Sequence, residues 1–159
     1  MPTRVQSLAL PLGLMAIFAA HATGASRSDQ RLKVDIDSLK GRLHEVSAEW
    51  ELTIEYKVEI DNARPGEKFE LLFQVAENGR AVCDEEGWPI TIVVPLDRPS
   101  KVDDDELEFE DSVVATLPRG LFKDPKRLRV IAVVVWAGNH QPLDHKDKRI
   151  KYKRKRKHN

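Results

Sequence analysis

One cysteine, Cys83, occurs among the 159 residues, so no disulfide can form within the chain and packing alone must hold the core. Aromatic side chains are also sparse, at 6%. After residue 20 no apolar run approaches the roughly 20 residues that a membrane-spanning helix needs. Amphipathic helical periodicity is missing from the same region. The local motifs of catalysis are absent too: there is no Gly-x-Ser-x-Gly elbow, no His-Glu-x-x-His, no Cys-x-x-Cys and no glycine-rich phosphate loop. These absences remove the usual parts of nucleophilic, zinc-hydrolytic and nucleotide chemistry. The expectation is a non-enzymatic protein without a cofactor.

What the chain does have is charge, at 33% of residues, and its formal neutrality conceals a division. Residues 41–118 carry 7 Lys and Arg against 20 Asp and Glu, a net of −13, whereas residues 119–159 carry 14 against 3, a net of +11. Either the fold pairs these two halves or it displays them as separate surfaces.

Met1–Ala22 has the form of an export signal. Arg4 precedes an apolar run from Leu8 to Ala20, too short for a bilayer helix, and Ala20-His21-Ala22 supplies the small-x-small cleavage pattern. The protein is therefore expected to be exported, periplasmic or extracellular, with no stable transmembrane segment after cleavage. Residues 23–42 read as a flexible lead-in containing a possible short strand, Leu32 to Ile36, before a turn at Lys40-Gly41.

The organising stretch is Val46 to Ile60. Val46, Ala48, Trp50, Leu52, Ile54, Tyr56, Val58 and Ile60 alternate with seven polar residues, four of them Glu, the pattern of one long strand with a buried face and an acidic wet face. Such a length calls for a bulge or a crossing between sheets. Phe69, Leu71, Phe73 and Val75 form the next inner face, followed by Asn78-Gly79, a strong hairpin signal. Consecutive Ile92, Val93 and Val94 predict burial on both sides. Leu107 and Phe109 start an alternation that Val113, Ala115 and Leu117 continue, with a register change expected near Glu110–Ser112. Leu128–Ala137 is apolar at almost every position from Val130 and belongs in the middle of a sheet. Ile150 and Tyr152 complete the set.

Seven or eight strands with short joints predict an all-β, antiparallel β-sandwich spanning residues 43–152, with a basic tail at 153–159. The order of strands resembles that of immunoglobulin-like and fibronectin-type-III-like modules, Ser112–Leu117 resembling the strand before the corner and Leu128–Trp136 the central strand after it. The paired cysteines of antibody domains are absent, and no tyrosine stands at the Leu121-Phe122 corner. The resemblance implies a fold and no particular function.

Candidate sites are few. Asp103, Asp104, Asp105 and Glu106 offer several carboxylates on one loop, as calcium requires, though in no known calcium-loop spacing; the alternative is a solvated linker. His140 and His145 flank a predicted hairpin and are too few for a closed zinc site. Trp88, between Gly87 and Pro89, is either a partner-anchoring ring or a lid over one end of the sandwich; Trp50 and Trp136 read as core. Cys83 reads as a small buried hydrophobe, with an intermolecular disulfide as the alternative. Lys151, Lys153, Arg154, Lys155, Arg156 and Lys157 form a cationic run suited to an anionic polymer or surface. Alternatively, outward Arg149, Lys151 and Lys153 meet Glu49, Glu51, Glu55 or Glu59 across a ladder. The expected role is a binding or structural module for a protein or polysaccharide partner. The alternatives are polyanion binding through the basic segment and self-association by β-edge pairing.

Overall fold

The computed structural model describes residues 32–154. Within them lie nine strands: β1 Lys33–Val46, β2 Glu49–Asp61, β3 Phe69–Glu77, β4 Arg80–Ala81, β5 Thr91–Leu96, β6 Lys101–Asp103, β7 Glu106–Pro118, β8 Leu128–Trp136 and β9 Pro142–Lys153. Short 3-10 turns at Arg119–Leu121 and Pro125–Arg127 join β7 to β8. The signal segment, residues 23–31 of the lead-in and Lys155, Arg156 and Lys157 of the basic tail fall outside the described residues.

The alternation read in β2 is realised: Trp50, Leu52, Ile54, Tyr56, Val58 and Ile60 are all buried, and the polar residues between them are half-exposed. The strand begins later than its pattern suggests. Val46 ends β1 with 47% of its surface exposed, and Ser47, at φ 55°, reverses the chain so that Val46 pairs with Glu49. A two-residue hairpin turn thus interrupts what looks like one continuous strand.

β1 corrects the reading of the lead-in. It runs straight through Lys40-Gly41, so the sandwich starts at Lys33 and not at residue 43. Gly41 serves close approach here: a Cβ on it would meet Ile150 Cγ1 at 3.0 Å and Val130 Cγ1 at 3.3 Å. The bulge expected within residues 46–60 is not formed, since β2 pairs with β7 without a shift; the register shift lies outside that stretch, in β1 between Ile36 and Ser38. It shifts the inward parity from even positions (Ile36) to odd ones (Leu39, Leu43), which keeps both halves of β1 in the core.

Two layers enclose that core. One is ordered β1-β2-β7-β6; the other is ordered β5-β3-β8-β9, with β4 folded back on the end of β3. β9 belongs to both. It pairs antiparallel with β8 as far as Arg149, then parallel with β1 from Gly41↔Ile150 to His44↔Lys153. All nine strands therefore form one continuous sheet folded over on itself, mixed rather than purely antiparallel. The count exceeds the expected seven or eight because of two short strands, β4 and β6.

Asn78 and Gly79 both take positive φ, 51° and 77°, and close the β3–β4 hairpin as expected. β8 lies between β3 and β9. A small second apolar cluster, Leu72, Val133 and Val135 with Val93 and Ile131 against it, sits apart from the main core and accounts for the runs without alternation. The register change expected in β7 does not occur, since β2 and β7 pair without a shift. Leu107, Phe109, Val113, Ala115 and Leu117 share one parity, and Asp111 occupies the position of that parity between Phe109 and Val113.

Candidate functional site

Among the described residues, three charged or concave regions bear on the candidate residues. The first is the seam where β9 crosses onto β1. With Ile150 buried and Gly41 beneath it, the neighbouring positions point outward, and the parallel register sets Lys151 beside Arg42 and Lys153 beside His44. The anticipated ladder of Lys151 and Lys153 against the glutamates of β2 is not formed, because β1 lies between β9 and β2. Arg42 and Lys40 share Glu55, at 3.4 and 3.9 Å. Lys151, Lys153 and Arg154 form no ion pair among the described residues. Arg149 donates instead to the Lys126 carbonyl at 3.2 Å. Sequence reasoning found the cations of β9 but missed Lys40 and Arg42, whose relation to them depends on first-to-last strand pairing.

The second region is acidic. Asp103-Asp104-Asp105-Glu106 forms the tight turn between β6 and β7, with Asp103 opposite Glu106 and the Asp105 carbonyl accepting from the Asn62 amide at 2.7 Å. Asp103 pairs with Lys101, and its Oδ1 accepts from the Asp104 amide. Of the four, only Glu106 joins a group of donors close enough to share a cation, with Glu59 and Glu108. That group has its own counter-charge. Lys57 donates to Glu59 at 2.9 Å and lies 3.3 Å from Glu108 and 3.6 Å from Asp37. Hydrogen bonds to Glu59 and then Glu108 hold its ammonium well above the usual lysine range. Asp103, Asp104 and Asp105 belong to no such group among the described residues. His140 faces Glu70 at 3.6 Å and His145 stands opposite Val133. Neither histidine belongs to a cluster of three donors among the described residues.

The third region is a cleft of about 570 Å³ between the two layers, on the flank away from β9. The loop before β5 supplies Cys83, Asp84, Glu85 and Ile90, and the end of β7 supplies Thr116 and Leu117. Cys83 is half-buried and its thiol contacts the Ala81 carbonyl at 3.6 Å, so it is neither deeply buried nor bonded to another cysteine among the described residues. The Asp84 carboxylate accepts from the amides of Glu86 and Trp88, at 3.0 and 2.9 Å, which fixes the turn and leaves Trp88 36% exposed. Trp88 is not among the residues lining the cleft. Trp50 is buried against Phe122, and Trp136 is half-buried and stacked on Phe69 at 5.0 Å. The cleft has no local sequence signal because its walls lie some 30 residues apart along the chain.

The strand order and layers define an all-β sandwich. No family model and no curated protein matches the chain. Among solved structures it is similar to a calcium-binding mutant of Bacteroides uniformis β-glucuronidase 2, at 14% identity and a TM-score of 0.41, over 75% of this chain and 13% of that one. A second B. uniformis β-glucuronidase structure gives 14% identity and a TM-score of 0.39 over 74% of this chain and 12% of that one. The chain thus spans about one-eighth of those enzymes' length. No helix among the described residues is long and apolar enough to cross a membrane.

Proposed function

We propose that this chain is an exported, non-catalytic binding module whose β1/β9 seam holds an anionic polymer. The observation that carries the reading is the register of Lys151 beside Arg42, with Lys153 two positions on, which gathers cations on one outward strip where pairing with acids was the alternative. Glu55 already pairs with Arg42, so the ammonium groups of Lys151 and Lys153 are the ones left to meet an anion. The strip continues through Arg154 into Lys155, Arg156 and Lys157 in sequence. Its one aromatic residue, Tyr152, packs inward against Trp50 with ring centroids 5.7 Å apart, which favours a sulfated or carboxylated polysaccharide over stacked nucleic-acid bases. Attraction of this kind is screened beyond about 8 Å at physiological ionic strength and weakens steeply with salt.

The test compares retention on a heparin column across a salt gradient for the unaltered chain, for the Lys151→Glu/Lys153→Glu variant and for a Lys101→Glu/Lys123→Glu control of equal charge change. Early elution of the first variant alone, at an unchanged melting temperature, supports the seam. Equal elution of both variants shows that net charge and not this surface governs retention, and sinks the reading.

A further inference from the structure

The two flanks of the sandwich are finished differently. On one, β9 crosses between the layers and closes it; on the other, β5 and β7 form no ladder with each other. The β7 edge on that open flank is blunted along most of its length. The Ser100 hydroxyl accepts from the Glu110 amide at 3.1 Å, the Asp111 carboxylate accepts from the Ser112 amide at 2.7 Å, and Pro118 has no amide hydrogen. In an antiparallel pair the outward backbone groups recur at every second residue, so Val114 and Thr116 complete this edge series. Both lack a partner on their outward side among the described residues. An edge with two open positions is too short to template an extended sheet and long enough to take one short segment.

The open positions adjoin the cleft. Thr116, Leu117 and Leu121 form one wall, Ile90 and Thr91 the other, and Glu85 supplies negative charge. Glu110 and Asp111 extend the acidic character along β7, while nearby Arg119 is paired with Glu45. The volume lies within the roughly 300–1,000 Å³ of ordinary ligand sites. We infer that this flank binds an extended cationic peptide, which adds as a short strand against Val114 and Thr116 and lodges an apolar side chain in the cleft while its Lys or Arg neighbours face Glu85. Backbone hydrogen bonds supply affinity in such strand addition, and alternate side chains supply selectivity.

Cys83 lines the cleft and reports on its occupancy. The probe is a capped heptapeptide alternating Lys and Val, with a Glu–Val counterpart, added to the full chain. The rate of reaction of the Cys83 thiol with Ellman's reagent and the exchange of backbone amides are followed together. With the Lys–Val peptide at ten times its Kd, the thiol should react about tenfold more slowly, as occupancy dictates. The Val114 and Thr116 amides should gain exchange protection, and the Glu–Val peptide should do neither. Thr116→Pro, which deletes an amide hydrogen with no partner, should abolish protection at an unchanged melting temperature. Should that variant unfold, Glu85→Lys leaves the backbone intact and should weaken binding of the Lys–Val peptide alone. The inference is overturned by absence of thiol protection, by equal protection from both peptides, or by a peptide-free dimer that already covers the β7 edge. The Lys151→Glu/Lys153→Glu variant should protect its thiol as the unaltered chain does, so this site stands or falls independently of the β1/β9 seam.

Discussion

The Asp144 carboxylate accepts a hydrogen bond from the Ile36 amide at 2.8 Å, joining residues 108 positions apart. Beside it the Lys146 ammonium donates to the Ile36 carbonyl at 2.6 Å and the Asp37 carbonyl at 2.8 Å. Both contacts fall at the β1 bulge, before β9 has come close enough for backbone pairing. Two side chains there stand in for a ladder that begins only at Gly41. Asp144→Ala strips a partly buried amide of its acceptor and should lower stability by about 1–3 kcal/mol, the usual cost of an orphaned group. Asp144→Asn retains an acceptor and should cost less. Urea denaturation of the two variants checks the order, and equal losses would show that the carboxylate's geometry is irrelevant.

Gly41→Ala brings a methyl group to 3.0 Å from Ile150 Cγ1, in a seam where neither strand can yield without disturbing the other. A loss of about 1–3 kcal/mol is expected from such overpacking. Gly138→Ala, where no neighbouring atom lies within 4 Å of the added carbon, is the comparison and should be near neutral. Similar melting temperatures for the two would refute the close-approach role of Gly41.

Burial, and secondarily the charge of Asp111, push the Tyr56 hydroxyl from 10.0 up to about 12. The folded state therefore keeps its proton where the unfolded chain has released it. The sign follows: this contribution to stability is fully present below pH 10 and declines as pH rises from 10 toward 12. Tyr56→Phe removes the titration, so the difference in stability between the two chains should shift in favour of Phe over that interval. A difference that stays constant from pH 9 to 12 would contradict the assignment.

The inward face of β2, the Asn78-Gly79 turn and the central place of β8 are legible because each depends on residues within a few positions of one another. Gly41 was not, since a glycine beside a lysine signals a turn unless Ile150 and Val130 are known to press against it. Ser47 was hidden for the converse reason: Ser-Ala carries no turn signature, and the positive φ is imposed by pairing between two long strands. Parity alone shows Leu107, Phe109, Val113 and Ala115 to be in one register, and the apparent break comes from the acidic residue at 111. The cations of β9 were plain, but their neighbours were not, because which strand lies beside the last is decided by topology. The cleft was invisible for the same reason, its two walls having no sequence relation.

The parallel ladder between β1 and β9 also gives the molecule a direction of mechanical strength. Tension applied through the start of β1 and the end of β9 pulls the two strands past each other, loading their slanted backbone bonds in shear at once instead of opening them in turn. An antiparallel first-to-last pairing would peel. A module placed within a longer tether, or between a surface and a bound polymer, would on this geometry transmit force through the seam before its sheets separated.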